Sequence, residues 1–313
     1  MKFDTLYLHV GWSKTGTSAI QSALQNNRNL LSEKGILYPQ SIQWADHSHH
    51  PFALAFQSSG PYGSNLTTID AIRKLDQEII ESNLPNTLLS SELSPFYFSD
   101  SDFKRFVQDR FTKVKVIFTV RRQSELIISL YNQLIKDPQV RYQDSLFSLT
   151  LRNLTWLNFH QNVMRWSNAV GKGNVIVVPY SSNIVTDFIG NFGISIDSSF
   201  ISGEKIINES LPTRCLALVK NRCRVHSKDA DKYKATRDGV VQLSKNIPLE
   251  KDTHIIFSAS EQNSLDRNYY NANLAVAREF TSSEILFPEK QYSPIKVIPP
   301  GIRLEEFKSA ADL

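Results

Sequence analysis

The stretch that decides the fold is LYLHVGWSKTGTS, residues 6–18, in which a short apolar run leads directly into a glycine-containing loop. This loop carries two glycines, a lysine and two hydroxyls, in the order Gly11, Lys14, Gly16, Thr17 and Ser18. Glycines let the backbone turn so tightly that several N–H groups point at one anion, and a following helix adds its positive N-terminal end. The stretch therefore predicts a strand, a phosphate-binding loop and a helix; the alternative is an ordinary turn between strand and helix.

A second candidate phosphate contact lies further along the chain. Residues 114–120, VKVIFTV, predict a buried strand that ends directly in Arg121 and Arg122. The helix predicted after them keeps an apolar face and places Ser129 about two turns beyond Arg121. An arginine at the carboxyl end of a strand and a serine in the next helix can converge on one phosphate, because open α/β sheets bind ligands at that edge. The alternatives are a solvated pair of arginines and a helical serine without a function.

Together the two segments resemble the cofactor-binding elements of sulfotransferases that use 3′-phosphoadenosine 5′-phosphosulfate (PAPS). In the run K-T-G-T-S the lysine precedes the second glycine, which distinguishes this loop from the ATP-binding form G-x-x-x-x-G-K-[ST]. The resemblance implies that PAPS is the donor, that PAP is the product and that no metal takes part. It also implies the contacts, with the 5′-phosphosulfate on Lys14, Thr15, Gly16, Thr17 and Ser18, and the 3′-phosphate on Arg121 and Ser129.

Sulfuryl transfer by in-line displacement requires a base for the acceptor hydroxyl and positive charge near the leaving oxygen. We expect Lys14 to supply the charge. Glu92 is the first candidate base, because it follows the predicted strand 87–90 and so lies at the cofactor edge of the sheet. Residues 92–98, ELSPFYF, resemble the segment that carries the catalytic glutamate in heparan-type glycan sulfotransferases. Leu93 is a departure, because those enzymes usually carry a lysine there.

A histidine is the alternative base. His50, or its neighbours His47 and His49, is a candidate because histidine titrates near neutrality and takes this role in several other sulfotransferases. Metal binding by these histidines is weakly supported, since no cysteine or acidic partner stands nearby at ligand spacing. The resemblance further implies that Lys205 and Asn208 contact the cofactor; the alternative is a polar loop ahead of a helix.

The acceptor predicted from this resemblance is a carbohydrate or glycan precursor, or a small hydroxylated metabolite. Several aromatic residues near the expected active edge either stack on sugar rings or belong to the core, namely Trp12, Phe52, Phe96, Tyr97 and Phe98. Two other classes of protein remain open. One is a P-loop kinase or nucleotide triphosphatase that uses ATP and magnesium, and the other is a catalytically silent protein that binds PAPS or PAP.

Composition narrows the class of protein further. The 313 residues are 41% hydrophobic, enough for a sizeable core, and include neither a 20-residue apolar run nor the pattern of a signal peptide. We therefore expect a cytoplasmic protein without a transmembrane segment. The two cysteines, Cys215 and Cys223, suit buried thiols better than a disulfide framework. The net charge of +4 is mild, so no nucleic-acid partner is expected.

Predicted strands alternate with predicted helices along most of the chain. The strands are residues 6–10, 36–38, 87–90, 114–120 and 175–178, and the helices are 18–33, 69–81, 123–136, 156–170, 213–225 and 260–280. Such alternation predicts an α/β fold, here a P-loop-type three-layer domain with a central, mainly parallel sheet flanked by helices. We expect one domain over residues 1–313, with a helical C-terminal extension from about residue 203.

Overall fold

The computed structural model describes residues 2–57, 66–93, 100–194, 200, 211, 213–226, 228–246 and 257–292. By their contacts they divide into two compact units. The first comprises the described residues of Met1–Arg121, Asn158–Ile207 and Ala272–Phe287, and the second those of Arg122–Leu157, Asn208–Asn271 and Pro288–Leu313. The predicted single domain stays a prediction.

Within these ranges five strands form one sheet, and all of them belong to the first unit. They are β1 (Phe3–His9), β2 (Ile36–Leu37), β3 (Asn86–Ser90), β4 (Phe111–Val120) and β5 (Val175–Pro179). Their order is β2-β3-β1-β4-β5, and every neighbouring pair is parallel. The predicted fold class, a parallel sheet flanked by helices, is confirmed.

Helices account for most of the remaining described chain. They are α1 (Thr17–Asn26), α2 (Arg28–Glu33), α3 (His50–Leu54), α4 (Thr68–Ser82), α5 (Asp100–Phe103), α6 (Gln123–Lys136), α7 (Leu146–Arg152), α8 (Phe159–Val170), α9 (Ile184–Ile189), α10 (Thr213–Cys223), α11 (Ala230–Asn246), α12 (Ala259–Asn268) and α13 (Tyr270–Phe280). In the portion described, none is long and apolar enough to cross a membrane.

Strand β4 shows why the sheet is covered on both faces. Its last five residues are all buried, and successive side chains of a strand point to opposite faces. Ile117 packs in a core cluster with residues of α1 and α9, including Ile20 and Phe188. Phe118, the next residue, contacts the ring of Trp12 on the other face, with a centroid distance of 5.6 Å. Helices on both faces leave the carboxyl ends of the strands as the accessible edge.

The strand order reverses between β1 and β4. From β1 the chain runs to β2 on one side of the sheet, whereas from β4 it runs to β5 on the other side. The loops that leave two such strands separate, and the crevice between them is the usual ligand site in open α/β sheets. The loop predicted to bind phosphate follows β1 and Arg121 follows β4, so both lie at this reversal.

Three predicted helices have other bounds in the structure, and side-chain contacts explain two of these differences. Predicted helix 18–33 is broken at Asn27, whose side-chain amide donates to the Ala23 carbonyl at 2.7 Å, so that α1 and α2 are separate. Predicted helix 156–170 begins later, because the Asn158 side chain caps the first turn of α8 by accepting from the Gln161 N–H. Helix 260–280 is likewise two helices, which meet at Tyr269.

The described part of the second unit is built from helices. α10 packs against α11 and α6, and α6 also packs against α7 and α12. The Tyr233 hydroxyl donates to the Ile135 carbonyl at 2.6 Å, which ties α11 to α6. The hydroxyls of Ser124, at the start of α6, and of Tyr292 both donate hydrogen bonds to the Asp266 carboxylate, at 3.0 and 2.6 Å. The unit is therefore held together by buried and partly buried polar contacts as well as by helix packing.

Candidate functional site

Three neighbouring strands of the first unit deliver the candidate site residues to one edge of the sheet. Lys14 follows β1, Glu92 follows β3 and Arg121 follows β4. β1 lies between the other two strands, with His9 paired to Ser90 of β3. Because the strands are parallel, their carboxyl ends lie at the same edge, as the sequence predicts. The loop after β1 is thus flanked by a carboxylate on one side and a guanidinium on the other.

The phosphate loop owes its shape to backbone conformation. Lys14 and Gly16 both adopt left-handed geometry, with φ of 66° and 84°. At Gly16, the residue before α1, a Cβ atom would lie 2.8 Å from Cγ2 of Ile184. Only glycine therefore combines this backbone angle with this close approach. The turn directs the chain into α1, whose first N–H groups have no partner within the helix and suit an anion.

The hydroxyls of the loop differ in their surroundings. Thr15 is fully buried, and its hydroxyl donates to the Trp12 carbonyl, so its side chain is engaged inside the protein. Thr17 is buried and Ser18 is exposed. Of Thr15, therefore, only the backbone N–H is suited to a ligand. The predicted phosphate contacts of Thr15, Gly16, Thr17 and Ser18 stay predictions.

Gly11 lets the loop approach the strand end that carries Glu92. Its φ is +69°, and a Cβ atom at this position would lie 2.5 Å from Cβ and 2.8 Å from Cα of Glu92. No side chain fits into such a space without moving the backbone of one partner. Gly11 and Gly16 therefore have different structural roles. Gly16 turns the chain into α1, whereas Gly11 allows Glu92 to lie beside the loop.

The charged residues that follow β3 and β4, Glu92 and Arg121, both interact electrostatically with Lys14, which follows β1. Burial lowers the pKa of the Lys14 ammonium from its ordinary value, the carboxylate of Glu92 raises it, and the guanidinium of Arg121 lowers it further. The ammonium is thus partly desolvated and flanked by charges of both signs. An anion bound here would add a favourable charge next to Lys14 and Arg121.

Arg121 is held against the loop by two contacts. Its Nη1 donates to the Lys14 carbonyl at 3.4 Å, and its guanidinium lies over the ring of Tyr180, 4.6 Å from the centroid. Both contacts orient a side chain that follows the buried end of β4. Arg122 has a different environment within the second unit, because its Nη1 lies 3.6 Å from Oδ2 of Asp266. Ser129 lies half-buried on α6 in that unit, and its predicted pairing with Arg121 stays a prediction.

The two candidate bases, Glu92 and His50, are neighbours. Oε2 of Glu92 lies 3.7 Å from Nε2 of His50, and the two side chains are 17% and 11% exposed. Nδ1 of His50 lies 2.8 Å from the Ser91 hydroxyl. The sequence offered Glu92 and His50 as alternative bases, and the structure places their side chains next to each other. Both side chains are therefore partly open to solvent.

His49 is engaged by the backbone at both ring nitrogens. Its Nδ1 accepts from the Ser90 N–H at 3.0 Å, and its Nε2 lies 2.8 Å from the Pro39 carbonyl. Burial lowers the pKa of His49 to about 4, so the ring is neutral near pH 7. This geometry favours a role in joining β3 to the preceding segment, and not the role of a base. His47, half-buried with a φ of 68°, has no contact that favours a catalytic role over a position in a turn.

Several polar residues of the site were missed by the sequence analysis. They form a chain of buried hydrogen bonds beneath the loop and comprise His9, Gln21, Ser90 and Thr119, with Thr15 at one end and Glu92 at the other. One signal was present in the sequence. His9, Ser90 and Thr119 are polar residues next to apolar, buried residues near the carboxyl ends of their strands, where an unpaired polar group is costly and partners are expected.

The aromatic candidates divide between core and surface. Trp12 and Phe52 are buried, so their rings belong to the core and not to a sugar-binding face. Trp44, which the sequence analysis did not select, is 39% exposed. Its ring meets the ring of His50 edge-on, with a centroid distance of 5.3 Å. Phe96, Tyr97, Phe98, Lys205 and Asn208 lie outside the described residues, and their predicted roles stay predictions.

No protein-family model and no curated protein matches the chain. Among solved structures it is similar to a sulfotransferase from Alicyclobacillus acidocaldarius, with 16% identity and a TM-score of 0.43 over 75% of this chain and 95% of that chain. It is also similar to the sulfotransferase domain from the curacin biosynthetic pathway, with 10% identity and a TM-score of 0.40 over 67% of this chain and 81% of that chain. Because these identities and TM-scores are low, we base the function on the residues described above.

Proposed function

We propose that this protein is a sulfotransferase that moves the sulfuryl group of PAPS to a hydroxyl of a carbohydrate or glycan precursor. One observation carries the proposal: a phosphate-type loop, an arginine and a carboxylate come from three adjacent strand ends and meet at Lys14. An anion-binding loop with a second cation suits a donor that carries two phosphate groups. The carboxylate provides what a hydroxyl acceptor requires, a base beside the donor.

The donor side consists of the loop and Arg121. The backbone amides from Thr15 to Ser18 and the N-terminus of α1 suit the 5′-phosphosulfate, with the Lys14 ammonium beside them. Arg121, whose guanidinium donates to the Lys14 carbonyl, suits the 3′-phosphate. In the described residues no group of three His, Cys, Asp or Glu side chains could hold a metal ion.

The acceptor side consists of Glu92 with His50 beside it. In the proposed reaction Glu92 takes the proton of the acceptor hydroxyl, the acceptor oxygen bonds to sulfur, and the bond from sulfur to the phosphate oxygen breaks. Lys14 stabilises the negative charge on that leaving oxygen. We prefer Glu92 to His50 as the base because Gln21 donates to the Glu92 carboxylate at 3.2 Å and Lys14 attracts it. His50 is the second candidate for the same proton.

A carbohydrate acceptor is supported by the surface next to the base. Trp44 presents a partly exposed ring that contacts His50, and sugars commonly stack on exposed aromatic faces near a catalytic group. This position replaces the two buried aromatics that the sequence suggested, Trp12 and Phe52. The ring contacts His50, which itself lies beside the proposed base Glu92.

The test of the donor assignment is a calorimetric titration of the protein with PAP, ADP, and ATP plus magnesium. We expect PAP to bind best, and Arg121→Ala to weaken PAP binding by about 10- to 100-fold while barely changing ADP binding, since one charge-assisted contact is worth about 1.5–3 kcal/mol. Arg122→Ala is the matched control, because Arg122 pairs with Asp266 and its loss should leave the preference for PAP intact.

The alternatives give different results in the same experiment. Tighter binding of ATP with magnesium, and no effect of Arg121→Ala, would identify a kinase or nucleotide triphosphatase and overturn the proposal. A protein that prefers PAP is then incubated with PAPS and a panel of hydroxylated sugars, and release of PAP is measured. Binding without turnover on any hydroxylated acceptor would identify a silent PAPS-binding protein.

A further inference from the structure

A chain of buried hydrogen bonds connects the phosphate loop to Glu92. Its links are Thr15 Oγ1 to Thr119 Oγ1 at 2.6 Å, Thr119 Oγ1 to His9 Nε2 at 3.2 Å, His9 Nδ1 to Ser90 Oγ at 2.8 Å, and Gln21 Nε2 to both Ser90 Oγ and Glu92 Oε2 at 3.2 Å. The four residues between the two ends are buried. The chain joins β1, β3, β4 and α1 directly beneath the candidate site.

The direction of every bond in this chain follows from its first member. The Thr15 hydroxyl must donate to the Trp12 carbonyl, because a carbonyl can only accept. Oγ1 of Thr15 therefore accepts from the hydroxyl of Thr119. Thr119 has then used its proton and must accept from Nε2 of His9. His9 is therefore protonated on Nε2 and accepts at Nδ1 from the hydroxyl of Ser90.

The far end of the chain fixes the amide of Gln21. Because Ser90 has given its proton to His9, its oxygen accepts from the NH₂ group of Gln21. The same NH₂ group donates to Oε2 of Glu92. A flipped amide would turn its oxygen towards two acceptors, so only one orientation satisfies both neighbours.

The electrostatics of His9 agree with this direction. Burial alone lowers the pKa of His9 to about 3, so the ring stays neutral and one nitrogen remains an acceptor. A charged His9 would donate at both nitrogens and reverse the bond with Ser90. The neutral ring therefore donates at Nε2 and accepts at Nδ1, and so keeps the direction of hydrogen bonding that begins at Thr15.

We propose that Gln21 is a positioning residue, which holds the Glu92 carboxylate in its ionised form and in one orientation beside the phosphate loop. This inference rests on the proposed function, in which Glu92 is the base. The other titratable groups that face Glu92 are Lys14, His50 and Tyr38. Of these four partners only Gln21 keeps the same charge at every pH, so its hydrogen bond is a constant bias towards the carboxylate.

The test compares Gln21→Met, which keeps the volume and removes both donors, with the wild type. Gln25→Met is the matched control, because Gln25 lies one turn further along α1 and outside the chain. We expect Gln21→Met to lower kcat by about 10- to 100-fold and to move the acid limb of the pH profile up by about 0.5 pH unit or more, with the PAP dissociation constant within about threefold of wild type. The control should behave as wild type.

A second readout does not depend on turnover. The carboxyl group of Glu92 is followed by NMR titration of isotope-labelled protein, and Gln21→Met should shift its midpoint upward by about 0.5 pH unit or more. If Gln21→Met does not fold, Gln21→Glu keeps the shape and should shift the midpoint further, because it adds a second carboxylate. An unchanged midpoint would overturn the role of Gln21.

The wild-type protein provides a test without any substitution. NMR of labelled histidine should show the neutral tautomer of His9 with its proton on Nε2, and the opposite tautomer would reverse the chain and overturn the inference. These outcomes are separate from a failure of the proposed function. A protein that binds PAP no better than ADP contradicts the sulfotransferase, whereas an unchanged Glu92 titration in Gln21→Met contradicts the positioning residue.

Discussion

The glycine-containing loop at residues 11–18 and the strand end at residues 90–93 form the two halves of the candidate site, and they are held in different ways. The loop is shaped by its backbone, with positive φ angles at Lys14 and Gly16. The strand end is shaped by side chains, since Glu92 is reached by Gln21 and His50, from α1 and α3. A site built from backbone depends on a short local stretch. A site built from side chains depends on residues far apart in the sequence.

This difference decides how each half responds to substitution. In the loop, a change of side chain removes a charge but leaves the amides that suit an anion. At the strand end, a change of one buried polar residue leaves its partner unsatisfied, at about 1–3 kcal/mol for a neutral group. Loop variants should therefore lower kcat more than the affinity for PAP, whereas strand-end variants should lower both kcat and the free energy of unfolding.

The largest effect is expected for Lys14→Met, which removes the charge of the loop. The ammonium is lost and the backbone cradle stays, so kcat should fall by about 10²- to 10³-fold. PAP should still bind, with an affinity reduced by about tenfold, because the remaining amides hold the phosphate. Turnover and calorimetry on the same sample measure both. Lys34→Met, at an exposed position after α2, is the control, and equal losses of kcat and affinity would show that the amides contribute little.

A smaller effect is expected for Gly11→Ala, which tests the contact between the two halves. The new methyl group would meet the backbone and Cβ of Glu92 at a position with positive φ, so Glu92 must move. We expect kcat to fall by about 10- to 100-fold and the free energy of unfolding by about 1–3 kcal/mol. The affinity for PAP should change by less than about threefold, since the amides that suit the phosphate, from Thr15 to Ser18, come after Gly11 in the loop.

Gly173→Ala is the matched control for this substitution. No atom lies within 4 Å of the added methyl group, so wild-type turnover and stability are expected. A large loss of PAP affinity in Gly11→Ala, with kcat unchanged, would show that the two halves are not separable in this way.

The sequence predicted the strand, loop and helix around Gly11 and Gly16, but not the side-chain contacts at the strand end. Gly11 and Gly16 stand in a short motif between an apolar strand and a helix, and the parallel sheet follows from the alternation of elements; both are local signals. Gln21 and Ser90 are 69 residues apart, and their contact depends on the order of β3 and β1 in the sheet. The break at Asn27 depends on a side chain that bonds its own helix, which a periodicity of apolar residues does not register.

The smallest effect on turnover at neutral pH is expected for His49→Gln, which tests whether the strand end is held by side chains. Glutamine offers an acceptor for the Ser90 N–H and a donor for the Pro39 carbonyl, so we expect turnover within about threefold of wild type. The effect should appear as acid stability. Burial lowers the pKa of His49 from 6.5 to about 4, so the unfolded chain takes up its proton first as the pH falls.

The sign and size of this acid effect follow from that difference. The contribution of His49 is complete above pH 6.5 and is lost between pH 6.5 and about 4, by about 1.4 kcal/mol for each pH unit. In urea titrations over this range, His49→Gln should therefore lose stability less steeply than wild type. His47→Asn, at a half-buried turn position with positive φ, should keep the wild-type slope. If His49→Gln also keeps it, the ring takes up a proton without unfolding, and the strand end does not rely on the bond between His49 and the Ser90 backbone.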